Sequence, residues 1–275
     1  MIGQIIKIIS NLYTVKANNE LYECHARGKF RNDDITPVVG DYCQFDAKNN
    51  YIMELLPRRN SLSRPNIANV DIALIVTSLK EPDLSLNLLD KQLTMVLYEQ
   101  IKPIICFTKA DLLTKKELKE ITKIKKYYEK IGFKTVYNYQ CFKLMRLLKH
   151  KTVVVAGQTG AGKSSLLNCL DKKLDIKTAP ISKALGRGKH TTSHVELYAI
   201  KTSLIADTPG FSALSVSQMT PTEIKDTFIE FSLYPCPYRD CQHLQEPDCE
   251  VIKAIKNKKI LNTRYENYQN FIKER

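Results

Sequence analysis

Residues 157–164 read GQTGAGKS, directly after the apolar run TVVVA (152–156) and directly before SLLNCL (165–170). The pattern G-x-x-x-x-G-K-[ST] constrains a chain more than any other stretch here. It requires a strand that ends in a glycine-rich turn and a helix that starts from that turn, so that backbone N–H groups and the helix N-terminus converge on phosphate. Glycine is scarce, ten residues in 275, yet Gly157, Gly160, Gly162, Gly186, Gly188 and Gly210 crowd into three short segments where backbone is expected to touch a ligand. The segment Gly157, Gln158, Thr159, Gly160, Ala161, Gly162, Lys163, Ser164 and Ser165 is read as the cradle of a nucleoside triphosphate. Lys163 would reach the β and γ oxygens and serve catalysis, and the Ser164 hydroxyl would bind Mg²⁺.

A phosphate loop of this kind belongs to an α/β sheet whose ligand loops leave the carboxyl ends of the strands. VDIALIVTS (70–78), PIICFTK (103–109) and SLIADTPG (203–210) supply further strands, and LLDKQLTMVLYEQ (88–100) and KKELKEITKIKKYYEKIG (115–132) are the expected helices between them. In ADTPG, Asp207 is placed to hold Mg²⁺ and the Gly210 amide to sense the γ-phosphate. Between the two motifs lies GRGKHTTSHVEL (186–197), where a threonine, Thr192 in preference to Thr191, is expected to complete the Mg²⁺ shell. TKAD (108–111) follows the strand PIICF. An aspartate there, Asp111, can accept both N–H groups of guanine's edge, the stem of Lys109 can lie across the base, and Thr108 flanks them. GTP is therefore the expected nucleotide, with GDP as product. The order of these motifs is base-reader, phosphate loop, threonine loop, D-x-x-G: an ordinary GTPase puts its base-reader last, so the order is circularly permuted.

Residues 1 to about 60 alternate apolar and polar side chains in five bursts separated by turn residues, as in a five-stranded oligonucleotide-binding barrel or another small β-domain. PRRNSLSRPN (57–66) reads as a polar connector. After residue 215, TPTEIKDTFIEF opens with Thr220 as N-cap, Pro221 at the first helical position and Glu223 as the reciprocal cap, and the last 26 residues read as one or two basic helices. The boundaries expected are 1–62, 63–215 and 216–275. Eight cysteines divide into two groups: Cys24, Cys43, Cys106, Cys141 and Cys169 lie in apolar or strand-like surroundings, while Cys236, Cys241, His243 and Cys249 form C-x4-C-x-H-x5-C. That spacing suits one structural tetrahedral Zn²⁺ rather than a disulfide framework; a set of reduced, buried thiols is the alternative. With 42 basic and 29 acidic residues, the net charge of +13 points to a polyanionic partner, RNA before any acidic small molecule, unless biased base composition accounts for it. No apolar run approaches the roughly 20 residues of a membrane span and no cleavable leader is visible, so a cytoplasmic chain without a membrane partner is expected.

Taken together, the permuted order and the segments LPRRNSLSRPNIANVD, GQTGAGKSSLLN, GRGKHTTSHVEL, DTPGFSAL and CPYRDCQHLQEPDC resemble the RsgA family of ribosome small-subunit-dependent GTPases over nearly the whole chain. The resemblance implies an N-terminal oligonucleotide-binding barrel, a permuted GTPase core and a small helical zinc-binding tail, acting late in assembly of the small (30S) subunit. Its implied partners are 16S rRNA and GTP/GDP, with no DNA and a monomeric state. Two departures stand out. The family's N-K-x-D is here Thr108-Lys-Ala-Asp, and the second base loop, near VYNYQ (136–140), lacks its usual Ser-Ala, so no residue is assigned there. Phe211 occupies the position where Ras-like enzymes carry the water-positioning Gln. His190 in the threonine loop is the expected substitute, against the alternative of a histidine that packs or touches RNA.

Overall fold

The computed structural model describes residues 1–26, 36–63, 65–171, 195–207 and 215–274. The chain divides into two compact units. One comprises Met1–Leu74, Tyr139–Ala156 and Lys163–Phe211; the other Ile75–Asn138, Gly157–Gly162 and Ser212–Arg275.

In the first unit, β1 (Ile2–Ile9), β2 (Leu12–Ala17), β3 (Glu20–Ala26), β4 (Tyr42–Asp46) and β5 (Tyr51–Leu55) close a barrel in the order β1-β2-β3-β5-β4. Alternation drives it: Ile5, Val15, Cys24, Cys43, Phe45 and Ile52 point inward and are essentially fully buried. The turn between β2 and β3 is made by Asn18 and Asn19 at φ 50° and 67°, the left-handed pair that a tight hairpin requires and that asparagine tolerates. Register slips between Ile5 and Lys7 and between Gln44 and Phe45 add the bends by which so short a sheet meets itself. The five sequence bursts thus become five strands with closely matching bounds.

The connector is more structured than its polarity suggests. β6 (Ser61–Ser63) and β7 (Asn66–Ala68) pair as a small antiparallel ribbon. Arg58 grips the fully buried Asp41 through two hydrogen bonds of 2.7 and 2.8 Å, Arg59 pairs with Asp71 at 3.0 Å, and the Asn60 side chain exchanges two hydrogen bonds with the Val70 backbone. Polar side chains here are tied back to the protein, although both arginines stay exposed.

β8 (Ile72–Ser78), β9 (Lys102–Thr108), β10 (Lys134–Tyr137), β11 (Thr152–Ala156), β12 (Leu197–Ile200) and β13 (Ser203–Asp207) form a sheet in the order β10-β9-β8-β11-β13-β12. β9 runs parallel to β10, and β11 parallel to β13, while β12 closes the edge antiparallel to β13. Near-continuous runs of buried Val, Ile and Leu in β8, β9 and β11 mark strands covered on both faces. In the first unit, α3 (Cys141–Leu148) and α4 (Lys163–Leu170) accompany β11–β13. In the second, α1 (Leu86–Tyr98) begins at Ser85, whose hydroxyl accepts the Leu88 N–H. α2 (Lys115–Lys130) begins at a full capping box of Thr114 and Glu117. The lysine-rich surface of α2 is solvated, with Tyr128 as its buried anchor.

The tail consists of α5 (Pro221–Thr227), a 3-10 turn (Ile229–Leu233), α6 (Glu250–Lys256) and α7 (Asn262–Lys273). The expected capping box at Thr220 and Glu223 is present. Within this unit Arg264 of α7, 1% exposed, forms a buried ion network. Its guanidinium makes two hydrogen bonds of 2.8 and 2.9 Å to Glu230 and one of 2.8 Å to Asp90 of α1, and lies over the Phe228 ring at 4.4 Å. Tyr128 Oη and Asn267 Nδ2 donate to the remaining Asp90 lone pairs. Among the described residues no helix is long and apolar enough to cross a membrane.

Candidate functional site

The phosphate loop follows β11 as the motif demands. Gly157 adopts φ 143°, and a Cβ there would collide with the Val76 carbonyl; Gly162 adopts φ 88°, a left-handed turn that opens directly into α4. Lys163 and Ser164 occupy the first turn of α4, half-buried, and Ser165 is exposed. Leu166, Leu167 and Leu170 anchor the other side of the helix in the core.

TKAD leaves the carboxyl end of β9. Thr108 is buried, and its hydroxyl donates to the Ala161 carbonyl of the phosphate loop at 2.6 Å. The methyl and β-carbon of Thr108 also pack close to Gly162. The residue that departs from the family asparagine is therefore a strut: its one O–H proton ties the TKAD turn to the glycine-rich turn. The sequence pattern places Thr108 only beside the base-reading residues, as a departure from the family's Asn. The clue available was its place beside Lys109 and Asp111, but the partner lies 53 residues away. Lys109 sits at φ 58°, and its ammonium donates to the Glu81 carbonyl. Pro82, next in sequence, lies against Gly160. The segment Lys80–Pro82 thus packs on both motifs, and no sequence signal marked it. Lys80 in turn pairs with Glu117 at 3.1 Å. Hydrogen bonding to the Thr114 side chain and backbone, and then the Lys80 contact, hold the Glu117 carboxyl down to about 2. Asp111 lies in the 3-10 turn Ala110–Leu112 with its carboxylate exposed.

β10 ends alongside: the Asn138 N–H donates to the Phe107 carbonyl at 2.9 Å, so VYNYQ emerges beside TKAD. Asp207 ends β13, its backbone in register with Val155, two residues before Gly157. His190, Thr191, Thr192, Gly210 and Phe211 lie outside the described residues.

In the tail, Cys236, Cys241, His243 and Cys249 converge so that their ligand atoms all lie within 4.8 Å of one another. The three sulfurs stand 3.5, 3.3 and 3.4 Å from His243 Nδ1. A tetrahedron with metal–sulfur bonds near 2.3 Å and a metal–nitrogen bond near 2.0 Å has edges of roughly 3.5–3.8 Å, so the donor set fits a metal ion with four protein ligands and no open position. Cys241, His243 and Cys249 are buried and Cys236 half-buried. Burial, assisted by Lys225, keeps the His243 imidazole below its ordinary value, in the neutral form that ligates. Outer contacts fix the loop: the Glu246 carboxylate accepts the N–H groups of Gln242, Leu244 and Gln245, and Tyr265 Oη donates to the His243 carbonyl at 2.7 Å. The four cysteine and histidine positions expected from spacing are thus brought together. Cys141 and Cys169, expected only to lie in apolar or strand-like surroundings, are instead joined as a disulfide, a pairing across 28 residues that local spacing did not signal.

Comparison with known proteins agrees with this architecture. The RsgA N-terminal domain profile matches residues 2–52, and the RsgA GTPase profile matches residues 55–217. The chain is 45% identical over 282 residues to the small ribosomal subunit biogenesis GTPase RsgA 2 of Oceanobacillus iheyensis, spanning 99% of this chain and 96% of that protein. It is 44% identical to the RsgA of Enterococcus faecalis over 99% and 94%. Among solved structures, YjeQ from Thermotoga maritima superposes with a TM-score of 0.86 at 30% identity, covering 99% of this chain and 97% of that one. YloQ, described as a circularly permuted GTPase, gives 0.84 at 34% identity, covering 99% and 94%. The motif order, the closed barrel and the Cys/His cluster are all features of one kind of enzyme: the chain belongs to the RsgA family of circularly permuted, GTP-hydrolysing GTPases.

Proposed function

We propose that this GTPase acts in late maturation of the small ribosomal subunit, binding 16S rRNA through its barrel and tail and using particle-stimulated GTP hydrolysis to leave. The observation that carries the nucleotide part is the Thr108–Ala161 hydrogen bond, which makes base-reader and phosphate loop one structure. In this reading Asp111 accepts the guanine N–H groups, Lys109 lies along the base and Thr108 braces the turn. Gly157, Gln158, Thr159, Gly160, Ala161, Gly162 and Ser165 wrap the phosphates, with Lys163 on the β and γ oxygens and the Gly210 amide at the γ-phosphate. Ser164, Thr192 and Asp207 hold Mg²⁺, which when bound supplies charge neutralisation at the transferring phosphoryl group. The Cys/His cluster holds one structural Zn²⁺. The functional division is barrel 1–62, GTPase 63–215 and zinc tail 216–275, in a monomeric, cytoplasmic protein.

The ribosomal reading is supported by the names of the relatives and by the charge of +13. With Phe211 unable to orient water, unaided hydrolysis is slow, and docking on the particle brings His190 to the attacking water. The test is steady-state GTP hydrolysis with and without 30S particles. Stimulation is expected, and His190→Ala should lower the stimulated rate by about 100-fold while GTP binding persists. Equal rates with and without particles would defeat the proposal.

A further inference from the structure

We propose that Cys141 and Cys169 form a reversible oxidation site whose state sets how fast the enzyme releases guanine nucleotide. The eight cysteines sort by environment. Cys24, Cys43 and Cys106 are buried, and burial pushes the thiols of Cys43 and Cys106 up to about 12, which leaves them inert. Cys236, Cys241 and Cys249 belong to the metal cluster. Cys141 and Cys169 are half-buried, within reach of a small reagent, and are joined with their Cα atoms 6.2 Å apart, inside the range a disulfide spans without moving backbone.

Position gives the pair its consequence. Cys141 is the first residue of α3. Cys169 lies near the end of α4, the helix that begins with Lys163 and Ser164. The ring closed by the bond spans 28 residues and contains β11 and the entire phosphate loop. Oxidation therefore ties the helix after VYNYQ to the helix after GQTGAGKS and limits how far the loop between them can open. In a reducing compartment such a bond is a responsive element rather than a permanent staple.

The chemistry is thiol–disulfide exchange with a low-molecular-weight disulfide. The Cys141 thiolate attacks one sulfur of the reagent and expels the first small thiol. The Cys169 thiolate then attacks the mixed disulfide at the Cys141 sulfur and expels the second. Two protein thiols are oxidised, one small disulfide is reduced to two thiols, and the two protons leave with them.

The coupling to nucleotide rests on the guanine-nucleotide reading above; the thiol chemistry does not. The full-length, metal-loaded protein is treated with glutathione disulfide or dithiothreitol. Alkylation with peptide mass mapping locates the linked cysteines, and release of a fluorescent GDP analogue is timed on the same samples. The oxidised protein should yield the Cys141–Cys169 peptide and release nucleotide about 5-fold more slowly, with dithiothreitol reversing both. Cys141→Ser and Cys169→Ser should each release nucleotide like the reduced protein and ignore the oxidant. Absence of the linked peptide, or a linked peptide with unchanged release, overturns the proposal. If the reduced protein binds no guanine nucleotide, the nucleotide reading and the coupling fall together, while mass mapping still decides the thiol chemistry.

Discussion

The barrel and the Cys/His tail are similar in length and solve the small-core problem in opposite ways. The barrel closes its sheet on itself, so every strand finds neighbours on both sides, and a core of eight residues around Ile5, Val15, Phe45 and Ile52 is enough. The tail is built from helices of 7, 7 and 12 residues that cannot stand alone. Its aromatic cluster of Phe228, Phe231, Tyr268 and Phe271 includes two of the candidate metal ligands, Cys241 and Cys249, as core residues. Backbone closure stabilises the one; side-chain clusters, the four-donor Cys/His set and the buried ion network, knit together the other.

Metal removal should separate them most sharply. A structural zinc site contributes on the order of 10 kcal/mol to folding in small peptides at neutral pH, far more than so short a segment can replace. Chelation of the full-length protein should strip hydrogen-exchange protection from α6 and α7 while leaving β1–β5 unchanged. Equal protection in both regions before and after chelation would show that the aromatic cluster suffices without the ion. The ionic cross-link comes next. Arg264→Met keeps the volume but leaves Asp90 and Glu230 buried without their cation, a loss of about 3–5 kcal/mol. The same substitution combined with Asp90→Leu and Glu230→Leu should recover most of it, because no uncompensated charge then remains. Thermal unfolding of the two variants checks the contrast: a single variant as stable as the parent would mean that water reaches the carboxylates.

The same contrast explains what the sequence made legible. Alternation in YTV and YCQF has period two and a local cause, so those barrel strands could be read almost residue by residue. The phosphate loop was legible for a similar reason: Gly157 and Gly162 are required by backbone geometry at their own positions. The Cys/His cluster was legible because its donors lie within fourteen residues. What escaped notice was long-range pairing. Arg264 and Asp90 are 174 residues apart, and nothing around Arg264 in NTRYENYQ distinguishes it from a solvated surface arginine. Thr108 and Ala161, Cys141 and Cys169, and Arg58 with Asp41 are the same kind of case: ordinary residues given a role by topology. Arg58, Arg59 and Asn60 read as linker residues because their partners, Asp41, Asp71 and the Val70 backbone, lie outside the local pattern.

The smallest effect tests the comparison at the element ends. A closed barrel has no strand edge to protect, whereas each short helix of the tail begins with orphan N–H groups that need an acceptor. At α5 the Thr220 hydroxyl accepts the Glu223 N–H at 3.2 Å, and Glu223 answers by accepting the Thr220 N–H at 2.7 Å. Thr220→Ala should cost about 1 kcal/mol; Glu223→Gln should cost less. The pH dependence identifies the cause. The Thr220 backbone N–H, and then its hydroxyl, hold the Glu223 carboxyl below its usual 4.5, so its contribution is complete above that value and disappears as pH falls below it. Exchange of the α5 amides should therefore be faster in Glu223→Gln than in the parent at neutral pH, with the difference closing in acid, while the barrel amides of the two proteins coincide throughout. A difference that persists below the titration of Glu223 would assign the effect to shape rather than charge, and the tail's helix ends would then be as indifferent to protons as the barrel's strands.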